Sequence, residues 1–142
     1  MRLDASRLIL AMLVGTLLAG TAAAQSNDQR DLVDEILTRA VIERGAFLAC
    51  ARLDQNRQTA DLLVRGWQHD LADAGTVLRA VGYTDVEIRA LTERYDIEKA
   101  APKFADLAAL GAYCGVVGDW RTRWARLLIA IPKIELRRVL NP

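Results

Sequence analysis

Apolar residues recur every three or four positions along most of the chain after residue 25, and no window alternates with the period of two typical of a half-buried strand. This pattern predicts a first helix over about residues 28–53, with Ser26 and Gln29 as a capping box, and a second over about residues 59–81. Gly82 is placed to end the second helix in the left-handed conformation. The apolar faces are Leu32, Ile36, Ala40, Phe47 and Ala51 on the first helix, with Cys50 at its edge, and Leu63, Trp67, Leu71, Ala74 and Leu78 on the second.

The rest of the chain predicts shorter helices separated by clear start and stop signals. Thr84 and Glu87 form a capping box for a third helix that ends near Tyr95, and Pro102 fits the first turn of a fourth. The face of the fourth helix is Phe104, Leu107, Gly111 and Cys114. A fifth helix begins at Asp119, and Pro132 separates it from a short terminal helix because proline disfavours helical backbone at the preceding residue. We expect an all-α fold, a small antiparallel bundle of about five to six helices with short loops.

Several of the predicted helices contain glycine. Glycine lowers helix propensity but lets another segment approach the backbone closely, so these positions are expected to mark close helix contacts. They are Gly45, Gly66, Gly75 and Gly111.

Residues 1–24 have the three parts of a secretory signal peptide. Two arginines precede an uncharged, mainly apolar run over residues 8–20, and Ala22, Ala23 and Ala24 provide a small-residue cleavage site before Gln25. As a helix the apolar run would extend only about 20 Å at roughly 1.5 Å per residue, which is short for a retained membrane anchor. We expect a periplasmic or secreted protein whose mature part, residues 25–142, is a single soluble helical domain.

Two cysteines, Cys50 and Cys114, remain in that mature part. Thiols oxidise in exported compartments, so the two are expected to form one disulfide between the first and the fourth helix. Neither belongs to a CxxC motif, which argues against a redox-active pair and against haem attachment.

The order of these features resembles that of a known family. A cysteine on an early helix, the segment from Gly82 to Ile88, and Tyr113 with Cys114 before a C-terminal helix are similar to the layout of small exported two-cysteine helical proteins of alphaproteobacteria. The resemblance covers roughly residues 50–128, and the Trp- and Arg-rich stretch near residue 120 departs from the family's pattern. The family has no assigned activity, so the resemblance implies export and a helical fold but no chemistry.

Candidate catalytic and metal-binding residues are few. His69 is the only histidine, and with Asp73 four positions later it has the spacing of two ligands on one helical turn, but no further histidine or cysteine pair completes a zinc site. Ser26 is the only serine after residue 24, so a Ser-His-Asp triad has no good nucleophile. The acidic residues Asp28, Asp31, Asp34 and Glu35 are explained by favourable charge at a helix N-terminus rather than by calcium binding. We therefore assign no catalytic residue, metal or cofactor.

The segment around residue 120 combines aromatic and basic side chains. On a helical wheel the tryptophans share a face with later leucines, while the arginines flank or oppose it. This face either completes the core, docks an acidic partner, or adsorbs to an anionic membrane, the last being the least favoured. The residues concerned are Trp120, Arg121, Arg123, Trp124 and Arg126.

The lack of a catalytic constellation favours an interaction protein. Basic and acidic side chains are equal in number after residue 24, which gives no reason to expect nucleic-acid binding. We expect an accessory protein of the cell envelope that binds a protein partner, such as an inhibitor, an immunity protein or a chaperone-like binder. The alternative is a small-ligand or lipid carrier with a cavity lined by Trp67, Phe104 and Trp120, and a carboxylate-dependent enzyme is a third reading.

Overall fold

The computed structural model describes residues 26–116 and 131–141, and every regular element in these ranges is an α-helix. The all-α helical bundle expected from the sequence is therefore confirmed. The helices are α1 (Asn27–Leu53), α2 (Arg57–Ala80), α3 (Asp85–Arg94), α4 (Ile97–Ala100), α5 (Leu107–Val116) and α6 (Pro132–Leu140). None of them is long and apolar enough to cross a membrane.

Helices α1 and α2 form an antiparallel hairpin that supplies most of the core. Ser26 caps α1 by accepting a hydrogen bond from the backbone N–H of Gln29, and Asn56 caps α2 in the same way through Thr59. The predicted apolar face of α2 is confirmed at every position, because Leu63, Trp67, Leu71, Ala74 and Leu78 are all buried. On α1 the buried face is broader than predicted and adds Val33, Leu37, Val41 and Leu48.

The turn into α3 follows the sequence signals closely. Gly82 has a φ of +98°, a conformation that side chains rarely adopt, and it ends α2 as predicted. Thr84 and Glu87 form the predicted capping box. The indole N–H of Trp67 then donates to the carbonyl of Tyr95 at 2.6 Å, which fixes the end of α3 against the centre of α2.

Helix α6 packs against α1 and α2 and forms an ion pair with each of them. Pro132 is its first residue and Ile131 is extended, as predicted. Lys133 binds Asp73 on α2 at 2.8 Å, and Glu135 accepts a hydrogen bond from Arg39 on α1. Leu136 on the same helix is fully buried.

A buried ion pair joins α1 to α2 inside the bundle. The guanidinium of Arg44, which is only 5% exposed, binds the Asp70 carboxylate at 2.8 Å and lies 5.0 Å from the ring centre of Trp67. It also donates to the carbonyl of Ala40. A buried charge with such partners fixes the relative position of two helices more than it adds stability.

The short helix α4, which the sequence did not predict, packs against α1 at Gly45. A side-chain carbon at Gly45 would come within 2.8 Å of the backbone of Ala100 and Ala101, so only glycine permits this approach. The expectation of close contact at helix glycines is thus correct here. It is wrong at Gly66, which is exposed, because a side-chain carbon there would meet no described residue of another segment within 4 Å.

The beginning of the next helix was predicted wrongly. Pro102 lies in the loop after α4, and α5 begins only at Leu107, where the Asp106 carboxylate accepts from the backbone N–H of Ala109. The helix therefore begins where the Asp106 side chain can cap it, and not at Pro102, five residues before Leu107. The predicted disulfide is confirmed, since Cys114 on α5 is bonded to Cys50 on α1.

Candidate functional site

Helix α5 exposes apolar side chains that a domain of this kind normally buries. Leu107 is 73% exposed, and Ala108, Ala109 and Ala112 on the same helix are also exposed. The helix contains no charged residue. A helix that is apolar on all sides is usually covered on all sides, so in the described part of the chain α5 presents an uncovered apolar face. The prediction that Leu107 shares a buried face with Cys114 is therefore wrong.

An apolar trough lies between this face and α1. Its volume is about 310 Å³, and Arg52 and Asp106 stand at its rim. The ring of Phe104 packs against the ring of Tyr113 with 4.9 Å between the centres, which holds one wall in place. The apolar lining consists of Ala49, Ala101, Pro102, Phe104, Leu107 and Leu110.

A second, larger groove lies on the other side of Arg52, at the turn between α1 and α2. It has a volume of about 790 Å³ and an apolar floor at Ala60 and Val64. Arg57 and Arg65, eight residues apart on one face of α2, stand along its edge. Within residues 26–116 and 131–141 neither forms an ion pair.

Arg52 joins the two depressions because it lines both. Its guanidinium is held by both oxygens of Glu98, at 2.6 and 2.7 Å. We call the trough and the groove together the Arg52 surface. It has an apolar part centred on Leu107 and a basic part at Arg57 and Arg65, which have no ion pair among the residues that the structure describes. Such a surface suits a ligand that is apolar at one end and acidic at the other.

The candidate metal ligands His69 and Asp73 have different surroundings. His69 is exposed, and the Asp73 carboxylate is bound to Lys133, whose hydrogen bond lowers the pKa of Asp73 below its ordinary value of 3.8. In the ranges that the structure describes, no three histidine, cysteine, aspartate or glutamate side chains are grouped to hold a metal. Ser26 serves as the N-cap of α1.

The acidic residues at the start of α1 are partly engaged by α3 and by α1 itself. Asp34 binds Arg94 at 2.8 Å and accepts a hydrogen bond from the hydroxyl of Tyr95. Glu35 lies 3.7 Å from Arg39. These contacts account for Asp34 and Glu35 without a bound cation.

Two other predictions concern aromatic residues. Trp67 is only 1% exposed and is hydrogen-bonded in the core, so its ring does not line an open cavity, whereas Phe104 does line the trough. The Trp/Arg segment lies outside the described residues, as do residues 1–24 and the helix predicted from Asp119. The segment comprises Trp120, Arg121, Arg123, Trp124 and Arg126.

The Arg52 surface was not predicted from the sequence, although part of it has a sequence signal. Arg57, Asp61 and Arg65 repeat every four residues and so share one face of α2. The trough has no comparable signal, because it depends on where the disulfide holds α5 relative to α1.

Comparison of the chain with models of known protein families, with curated proteins and with solved structures finds no match. The functional interpretation therefore rests on the geometry of the chain's own residues.

Proposed function

We propose that this is an exported interaction protein of the cell envelope that binds a protein partner through the Arg52 surface. The observation that carries the proposal is the exposure of Leu107 on an apolar helix face, in a trough that shares Arg52 with a groove lined by two arginines without an ion pair among the described residues. Export is inferred from the signal peptide over residues 1–24. Cleavage before Gln25 would give an intact mass that lacks the first 24 residues, and an uncleaved mass in the membrane fraction would contradict this.

The arrangement of the surface follows the usual anatomy of a protein interface. Such interfaces have an apolar centre and a polar rim in which arginine is favoured. In the Arg52 surface the trough supplies the apolar part, and Arg52, Arg57 and Arg65 supply the rim. The groove residues carry three positive and two negative charges, which favours a partner with carboxylates. We infer that the partner presents an amphipathic segment whose apolar side chains enter the trough and whose acidic side chains meet Arg57 and Arg65.

Site-specific photo-crosslinking tests this proposal in cells. A benzophenone amino acid replaces Leu107 in one strain and Val86 in another, and adducts are separated and identified by mass spectrometry. Val86 is a matched control because it is 72% exposed on α3, against 73% for Leu107 on α5. We expect a discrete protein adduct at position 107 that is missing at position 86.

Charge reversal then separates a specific partner from adventitious contact. Arg57→Glu with Arg65→Glu should reduce the adduct at position 107, whereas Arg89→Glu, an exposed arginine on α3, should leave it unchanged. Because exposed charges attract a partner mainly through long-range steering, the effect should weaken as salt increases. No adduct at position 107, or equal adducts at both positions, would refute the proposal.

The chemical nature of the adduct also decides between the expected classes. An adduct with an enzyme or toxin would identify an inhibitor or immunity protein, and many different client proteins would identify a chaperone-like binder. An adduct with lipid would replace the interaction protein by the carrier alternative, with the trough as its binding site.

A further inference from the structure

Two exposed rows of charged side chains, one on α2 and one on α3, have opposite sign patterns at the same spacing. In each row the charges follow one another every four residues, so they share one side of their helix and extend over about 12 Å along its axis. The α2 row reads plus, minus, plus, and the α3 row reads minus, plus, minus. The α2 row consists of Arg57, Asp61 and Arg65, and the α3 row of Asp85, Arg89 and Glu93; all six side chains are exposed.

The charges of the α2 row are available to another molecule. Within residues 26–116 and 131–141 none of the three forms an ion pair, although Asp61 has an arginine one turn away on each side. Ion pairs within one exposed helix are weak. A second helix can therefore engage these charges at little cost.

The α3 row is also largely available. Arg89 and Glu93 form no ion pair with any residue that the structure describes. Asp85 binds Arg79, but the guanidinium Nε and Nη2 both donate to Oδ1, at 3.0 and 2.7 Å. The Asp85 side chain is 75% exposed, so its Oδ2 can accept from a further guanidinium.

An apolar ridge runs beside each row, and the two ridges fit the same orientation. On α2, Ala60 and Val64 each precede a charge by one residue and form the floor of the groove. On α3, Val86, which is 72% exposed, and Ala90 each follow a charge by one residue. The ridges thus lie on opposite sides of their rows. When two helices face each other in parallel, one is turned over relative to the other, so row then meets row and ridge meets ridge.

The two rows of one chain are too far apart along α2 to meet each other. Helix α3 packs near the end of α2, where a side-chain carbon at Gly75 would lie 3.0 Å from Ile88. The α2 row occupies the first nine residues of the same helix. Contact between the rows therefore requires two copies of the chain.

We propose that the groove at the start of α2 binds α3 of a second copy of this chain, with the two helices parallel. In this register each arginine of the α2 row meets a carboxylate of the other copy's α3 row, and Asp61 meets Arg89 of that copy. Val86 of the second copy enters the groove beside Ala60. Two different faces meet, so the contact is heterologous and closes into a dimer when both copies use both faces. The inference does not rest on the envelope partner proposed above.

The contact is weak because it consists of exposed charge pairs and a short apolar ridge. We expect a dissociation constant of about 0.1 mM at low salt. At protein concentrations well below this value the chain is monomeric, and the groove is free for the envelope partner.

Sedimentation velocity of the purified protein at concentrations up to about 1 mM measures the association. The sedimentation coefficient should rise with concentration. Raising the salt from about 50 mM to about 500 mM should weaken the association at least fivefold, because the Debye length becomes much shorter.

Charge reversal on either face should prevent self-association. Arg57→Glu with Arg65→Glu reverses the α2 row, and Asp85→Arg with Glu93→Arg reverses the α3 row. Each double variant should associate at least about tenfold more weakly than the wild type. A mixture of the two should associate again, because the unchanged α3 row of the first fits the unchanged α2 row of the second.

A charge-matched control and a crosslink locate the contact. Arg137→Glu with Arg138→Glu, at two exposed arginines of α6, changes the net charge as reversal of the α2 row does and should associate as the wild type does. A benzophenone amino acid at position 86 of the otherwise unchanged chain should crosslink, at high concentration, to residues 57–65 of a second copy. Peptide mapping of the adduct identifies the position without any charge variant.

Three results would overturn the proposal. They are a sedimentation coefficient that does not change up to about 1 mM, equal association of the wild type and both charge-reversed variants, and a crosslink from position 86 to a part of the second copy away from the groove.

Discussion

The core around Trp67 and the apolar face around Leu107 differ in how their side chains are satisfied. In the core, a ring that is 1% exposed has its N–H bonded to a backbone carbonyl and its face covered by the Arg44 guanidinium. On α5, a leucine that is 73% exposed stands on a helix without a charged residue. Within the described residues, the core around Trp67 is buried and hydrogen-bonded, whereas the apolar face around Leu107 stays exposed.

This difference shows which parts of the molecule are explained by folding alone. Burial of apolar area and internal hydrogen bonds account for the core. In the described part of the chain, Leu107 and its exposed neighbours on α5 contribute little to stability because they stay in solvent. The disulfide to Cys50 and the packing of the half-buried side of α5 hold this helix against α1. An apolar face that the described residues leave uncovered suits a partner, which is why we propose that the partner binds there.

The largest effect is expected at Trp67. Trp67→Ala should lower the free energy of unfolding by about 3–5 kcal/mol, as truncation of a buried large aromatic residue does. It also removes the donor to Tyr95 and uncovers Arg44. Urea unfolding followed by circular dichroism measures this loss. A loss below about 1 kcal/mol would mean that the core is less tightly packed than the structure shows.

The disulfide should rank second and should act on α5 in particular. Replacing both Cys50 and Cys114 by alanine should cost about 2–4 kcal/mol, which lowers the melting temperature by several degrees. Hydrogen exchange then shows which helices lose protection. Amides of α5 should lose protection more than amides of α2, whose attachment does not use the bond. Equal loss in both helices would contradict the separation of the two regions.

Glycine substitutions should have opposite signs in two places. Gly45→Ala introduces a carbon 2.8 Å from the backbone of α4 and should cost about 1–3 kcal/mol. Gly66→Ala adds a carbon that meets nothing within 4 Å on an exposed part of α2, so it should stabilise by up to about 1 kcal/mol through helix propensity. Thermal unfolding of the two single variants measures both. Stabilisation by both substitutions would show that α4 is not packed on Gly45.

Glu87 should contribute a smaller, pH-dependent effect. Its pKa lies below the ordinary value of 4.5, chiefly because of the hydrogen bond from the Thr84 backbone. The folded state therefore binds this proton more weakly than the unfolded state does. The resulting stability is fully present above pH 4.5 and is lost as the pH falls through the lowered pKa. Melting temperatures measured from neutral to acidic pH should fall less steeply for Glu87→Gln than for the wild type, and parallel curves would argue against the capping contact.

The sequence predicted the features that depend on neighbouring residues. Gly82 as a stop, the Thr84 and Glu87 capping box, Pro132 as a helix start and the buried face of α2 all follow from local rules. The helix start predicted at Pro102 was wrong because the Asp106 carboxylate caps a helix that begins at Leu107.

The candidate site required the tertiary structure. The Arg52 surface combines α1, α2, α4 and the loop and helix after it, and the ion pair between Asp34 and Arg94 likewise joins residues more than fifty positions apart. No periodicity within one helix reveals such pairs. The disulfide was predictable only because the chain offers two cysteines and because its first 24 residues have the pattern expected of a signal peptide.

The smallest effect on stability is expected at the Arg52 surface, and it is the most informative about function. Leu107→Ala should change the free energy of unfolding by no more than about 0.5 kcal/mol, because the side chain is already in solvent. The same substitution at Leu63, which is 3% exposed, should cost about 2–5 kcal/mol. If Leu107→Ala also abolishes capture of the partner identified by crosslinking while Val86→Ala does not, the exposed leucine serves binding and not folding. A large loss of stability in Leu107→Ala would instead show that another part of this chain covers α5, and the Arg52 surface would then belong to the core.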